Sequence, residues 1–128
     1  VKVNRQLQTS VPDVYAIGDC AEVDGHVLPY ILPMMAQARA LAATLSGTPT
    51  NVHYPAMPVV VKTPACPVAV AMPSVLDSAT WIVDSQEDSI CALYQTDQGQ
   101  LLGFALTGKA TQQRQALAKQ LPPIFAMQ

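Results

Sequence analysis

Five prolines stand within the twenty residues from Tyr54 to Pro73, "YPAMPVVVKTPACPVAVAMP". Each lacks the N–H that a helix interior or a sheet ladder requires, so the stretch can hold only short strands with prolines at their ends or edges. Two are predicted, in "PVVVKTP" and "PVAVAMP". The run before them, "TPTNVHYPAMP", has no period and marks a domain boundary that separates residues 1–50 from residues 51–128. Beyond it, "TWIVDS", "SICALYQT" and "LLGFALTG" read as strands of an antiparallel meander. The last two are joined through "DQGQ", with Gly99 where a turn accepts positive φ. Leu102, Phe104 and Leu106 are expected to share one strand face. A final amphipathic helix, from about Ala110 to Leu121, is stopped by Pro122 and Pro123.

Upstream of the boundary the texture differs. Val14 to Ile17, "VYAI", lies between "PD" and "GD", as expected of a short strand buried on both faces of an α/β layer. After the Asp24-Gly25 loop, "PMMAQARALAATLSG" predicts a helix with Pro33 in its first turn and Gly47 at its end. Met34, Ala38, Leu41 and Leu45 are placed on its buried face. The architecture expected is thus an α+β fragment, an α/β remnant followed by a small antiparallel-sheet domain with a C-terminal helix.

Half the residues are apolar and 12% are charged, against about 25% in an ordinary soluble chain. Either a membrane, a partner or further chain is expected to cover part of the surface. The apolar run Val27 to Ala36 is broken by Pro29 and Pro33 and falls short of the roughly 20 residues of a spanning helix. A net charge of −2 without a basic stripe excludes nucleic acid as the expected partner. The chain opens at Val1, and "VKVNRQLQTS" reads as the end of a strand and a polar turn, so it is expected to be the carboxyl-terminal part of a longer polypeptide.

Cys20, Cys66 and Cys91 form neither a C-x-x-C pair nor a zinc cluster, which excludes a dithiol relay and suits reduced thiols in a cytoplasm. Cys66 is expected to be a buried structural residue. His26 and His53 stand apart from any ligand or catalytic partner in sequence. No G-x-G-x-x-G occurs, so this segment by itself cannot hold a dinucleotide.

Asp19 is the first candidate functional residue. It follows the predicted strand at its carboxyl end, where ligands bind α/β sheets, and Gly18 before it lets a ligand approach the backbone. A helix cap or a loop carboxylate is the other reading of the dipeptide. Lys62 is the second candidate. It is the only charge from Tyr54 to Leu76, and is either paired inside the sheet or an edge lysine reaching solvent.

The longer string "TSVPDVYAIGDCAE", with "LPYILPMMAQARALAATLSG" after a loop, resembles the second FAD-contacting segment of flavoprotein pyridine-nucleotide oxidoreductases on the glutathione-reductase-like plan. "YPAMPVVVKTPACPVAVAMP" is similar to the opening of the carboxyl-terminal domain of rubredoxin reductases, a more specific likeness. The resemblance is close over residues 1–73 and loose beyond. It implies that residues 1–50 are the final segment of an FAD-binding domain and residues 51–128 a reductase C-terminal domain.

In that family the aspartate matching Asp19 accepts a hydrogen bond from a ribityl hydroxyl of FAD. Backbone N–H groups at the start of the helix, from Ile31 or Met34, would face the flavin's pyrimidine edge, and the lysine matching Lys62 lies at the flavin in a catalytic position. The resemblance implies a cytoplasmic enzyme that takes hydride from NADH onto FAD and passes electrons to rubredoxin, a small acidic iron-sulfur protein. The rest of its own reductase chain is then its other partner. Two alternatives stay open: a ferredoxin- or nitrite-reductase-like flavoprotein, and a non-catalytic interface module in residues 52–128.

Overall fold

The computed structural model describes residues 1–73 and 79–125. Two compact units divide the chain, Val1–Tyr54 and Pro55–Gln128.

In the first unit, β1 (Lys2–Val3) runs parallel to β2 (Glu22–Val23), which pairs antiparallel with β3 (His26–Val27). The β2–β3 hairpin turns on Asp24 and Gly25, both at positive φ (50° and 84°), the backbone that a two-residue hairpin of right-handed twist demands. Arg5 Nε donates to the Asp24 carboxylate at 2.8 Å and pins the turn. Val3, Leu7, Ala21, Val23 and Val52 are buried hydrophobic residues of this unit.

The expected strand at "VYAI" does not form. Tyr15 alone makes a bridge, to Gln8, and Val14 is half exposed. Its backbone is used locally: Thr9 N–H donates to the Val14 carbonyl and Ala16 N–H to the Leu7 carbonyl. Among the described residues no strand lies beside it to extend that pairing.

Helix α1 spans Ile31–Leu45, with Pro33 in its first turn as the sequence predicts. Its end is a complete Schellman turn. Gly47, at φ 96°, donates to the Thr44 carbonyl, and Thr48 donates to that of Ala43. The buried face, however, is Pro33, Gln37 and Ala40. Met34, Ala38 and Leu45 are exposed, so the apolar stripe read from the sequence is rotated by about one position from the face that packs. The small and polar residues sit inside because the elements beside the helix approach closely, and alanine and proline leave them room.

In the second unit β4 (Val59–Val61), β5 (Val68–Ala71), β6 (Ala79–Gln86), β7 (Ser89–Thr96) and β8 (Leu101–Thr107) form a sheet in the order β4-β5-β8-β7-β6. Every pairing is antiparallel. The β6-β7-β8 meander is the expected one, and the proline-fenced pair β4 and β5 adds to its far side. Registers place Phe104 between Ala71 and Leu93, and Leu106 between Ala69 and Cys91, so one face of three strands, β5, β8 and β7, builds the core.

Phe104 and Leu106 are fully buried as their shared face requires, but Leu102 is not the third member of the cluster. Between β7 and β8 the register shifts at Tyr94/Gln95, where Gly103 faces Tyr94 and Leu101 faces Gln95. That bulge leaves Leu102 as the extra residue and turns Leu101 into the core.

The closing segment is a 3-10 turn over Gly108–Gln113 followed by a short helix α2 over Arg114–Ala118, in place of one continuous helix to Leu121. Thr111 Oγ1 donates to the Gly108 carbonyl at 2.7 Å, and this i to i−3 bond takes the acceptor a regular α-turn would use. Leu117 and Leu121 still pack on the sheet core.

Gly108 stands at φ 54°, and a Cβ there would be driven into the Asp88 carbonyl, whereas Gly99 at φ 80° faces open space. Gly99→Ala is therefore expected to cost about 1 kcal/mol through backbone strain alone. Gly108→Ala, which adds a backbone clash, should cost about 3 kcal/mol. Urea titrations of the two variants check the order; equal losses would contradict it.

Candidate functional site

Gly18, Asp19 and Cys20 form one 3-10 turn that stands against the first turn of α1. The positive φ of Gly18, 80°, is why glycine is there; an added Cβ would come no closer than 3.9 Å to Met34 Sδ. The backbone angle is by itself enough to select glycine here. Asp19 itself is exposed, at the acidic first turn of the 3-10 segment.

What holds this turn is a buried amide. Gln37, 2% exposed, accepts the Gly18 N–H through Oε1 at 2.7 Å and donates from Nε2 to the Tyr54 hydroxyl at 2.7 Å. Tyr54 is fully buried. Burial raises its phenol above the usual tyrosine value, opposed by the weaker lowering effect of the Gln37 bond. Neither Gln37 nor Tyr54 was singled out in the sequence. The available signal was a glutamine four residues after Pro33 and three before Ala40, the two other residues of the slim helix face.

The start of α1 is open. Tyr30 supplies no side-chain cap, and Ile31 is 69% exposed. Met34 N–H donates to the Tyr30 carbonyl and Pro33 has none to give, so the donors at this end are those of Ile31 and Leu32. Met34 is thereby removed from the pair of donors expected. The Gly18–Asp19 turn touches α1 through Gly18, at Gln37 and close to Met34, and the two amides of Ile31 and Leu32 stand at the positive end of the same helix's dipole. That donor set fits a flavin, whose ribityl hydroxyls donate and whose pyrimidine edge accepts.

Lys62 belongs to the second unit. It follows β4, an outer strand of the sheet, and is exposed, with no ion pair among the described residues. Cys66 is also exposed, against the expectation of a buried residue, because it lies in the turn between β4 and β5, where Thr63 Oγ1 donates to its carbonyl. Cys91 is the partly buried one. Burial, and then the Asp84 carboxylate paired opposite it, push its thiol up. Among the described residues no group of three or more metal-ligating side chains is present, and no helix is long and apolar enough to cross a membrane.

The second unit is thus a five-stranded antiparallel sheet, with a proline-fenced strand pair on one side, closed by a short helix. Residues 51–121, more than half of the chain, match the rubredoxin binding C-terminal domain, and the chain belongs to that family. It is 49% identical over 125 residues to a rubredoxin-NAD(+) reductase of Alcanivorax borkumensis, covering 98% of this chain and 33% of that protein. A second, from Acinetobacter baylyi, is 48% identical over 129 residues and covers all of this chain and 33% of its own length. The crystal structure of NADH:rubredoxin oxidoreductase from Clostridium acetobutylicum shares the fold, with a TM-score of 0.71 over 94% of this chain and 32% of that one at 19% identity. The chain thus spans about a third of the length of the curated relatives it matches.

Because the Tyr54 phenol is raised in the folded protein, the unfolded chain loses its proton first as pH climbs. The contribution of Tyr54 to stability is therefore complete below about pH 10 and is lost as pH rises through the folded value. In alkaline unfolding monitored by circular dichroism, Tyr54→Phe should flatten that decline while lowering stability at pH 7. An unchanged alkaline slope would remove Tyr54 as its source.

Proposed function

We propose that this chain is the carboxyl-terminal third of a cytoplasmic flavoprotein that carries electrons from NADH through FAD to rubredoxin. Residues 1–50 are the final segment of its FAD-binding domain, and residues 51–128 are the domain that meets rubredoxin. The observation that carries this reading is the Gly18–Asp19 turn set against the uncapped start of α1, in a chain whose second unit belongs to a rubredoxin-binding family. The segment alone is inactive, since it contains no glycine-rich phosphate turn.

FAD, when bound, supplies the conversion of a two-electron hydride donor into a one-electron source. The chain's own residues do the rest. Asp19 accepts a ribityl hydroxyl, and the Ile31 and Leu32 amides offer donors at the positive end of α1, where negative charge gathers on reduction. Lys62 brings a compact positive charge on a flexible stem from the end of β4, and its task is to stabilise that same charge. Lys62 is exposed in this chain.

In the complete reductase, Asp19→Ala should weaken FAD binding by roughly tenfold or more, with Asp19→Asn milder because one acceptor survives. Dialysis followed by flavin absorbance reads it. For Lys62 the informative change is Lys62→Met, which keeps the stem and removes the charge. FAD content should be retained while reduction by NADH slows in anaerobic stopped flow, and Lys62→Arg should fall between. A methionine variant reduced at the wild-type rate, and reoxidised normally by rubredoxin, would leave Lys62 as a solvated edge residue.

A further inference from the structure

Gln37 is the one long polar side chain buried inside the first unit, and its two bonds are not interchangeable. The Gly18 N–H can only donate, so the amide oxygen must face it; the amide nitrogen is thereby forced toward Tyr54, whose oxygen must accept. One orientation of one amide thus ties together a turn, the middle of α1 and the end of the unit at Tyr54. We propose that Gln37 is a positioning residue for cofactor binding: by holding the Gly18 amide it fixes the turn that presents Asp19, and Tyr54 locks the amide in the orientation that does so. The inference rests on the flavin reading of Asp19.

The physical case is specific to this turn. Gly18 stands at positive φ, a conformation that a glycine leaves easily, and its N–H would otherwise have no fixed acceptor. Asp19 is exposed and, among the described residues, no hydrogen bond or ion pair holds its side chain, so its position is set through the backbone on which it sits. A carboxylate that must meet a hydroxyl at hydrogen-bond distance depends on that backbone being held before the ligand arrives. Losing the Gln37 oxygen frees the turn without touching any group that meets the ligand.

The test is a double-mutant cycle in the complete reductase, reading the dissociation constant of FAD by flavin fluorescence on reconstituted apoprotein, with the melting temperature of each apoprotein as a second readout. Gln37→Leu should weaken FAD binding about tenfold, and Tyr54→Phe roughly two- to threefold, because the Gly18 bond survives. Gln37→Glu keeps an acceptor for the Gly18 N–H, so its affinity should stay nearer to wild type than that of Gln37→Leu. In an Asp19→Ala background, Gln37→Leu should cost less than about twofold more, since the residue it positions is gone.

If Gln37→Leu adds its full factor on top of Asp19→Ala, or moves only the melting temperature, the positioning role is overturned while the flavin reading stands. If Asp19→Ala leaves FAD binding unchanged, the flavin reading falls and this inference with it. Should Gln37→Leu fail to fold, the same cycle run with Tyr54→Phe decides, and independence from Asp19 there counts against the proposal.

Discussion

A buried amide has to satisfy both of its ends, and in the first unit that requirement organises everything near it. Gln37 lies where α1 is slimmest, between Pro33 and Ala40, so the elements around it can come close enough to reach a side chain at the helix surface. On one side the helix meets the glycine of a 3-10 turn, on the other the phenol of Tyr54. An apolar residue of the same size would pack there, but it would leave the Gly18 N–H and the Tyr54 hydroxyl without this partner. The second unit has a different anchor. Strand β8 is paired along both edges, by β5 and β7, and carries the two fully buried side chains Phe104 and Leu106.

Much of the second unit was legible because its signals are local. Prolines set the ends of β4 and β5, alternation set β7 and β8, and the glycine turn joined them. What the sequence could not show was the bulge opposite Tyr94, since a one-residue shift in β8 is invisible until the neighbouring strand is in place. The closing helix was overestimated for a related reason. Ala110 to Leu121 has a helical pattern, yet the Thr111 side chain competes for a backbone acceptor, and only five residues become α-helical.

The candidate site was half legible. Gly18 and Asp19 stand out as a turn after an apolar run, and the helix that follows announces its own start and stop. The buried face of that helix was misread, because an apolar stripe marks the face that seeks cover, and here Met34 and Leu45 on that stripe remain exposed in this chain. The residues that do pack, Pro33, Gln37 and Ala40, carry little hydrophobic signal of their own. Burial of a glutamine is a tertiary fact: it becomes favourable only once a donor and an acceptor from distant parts of the chain arrive at both ends of the amide.

The outer strand β6 carries the sole tryptophan of the chain, Trp81, 49% exposed and tilted against Tyr94 with ring centroids 5.1 Å apart. It lies on the side of the sheet away from the core, with Val83 also exposed in the same strand. A single indole at such a place is an optical label already built into the molecule. Wet, it emits at longer wavelength; shielded from water, its emission moves to the blue. Fluorescence of the native chain, with no dye attached, therefore reports directly on whether anything lies over that edge of the sheet.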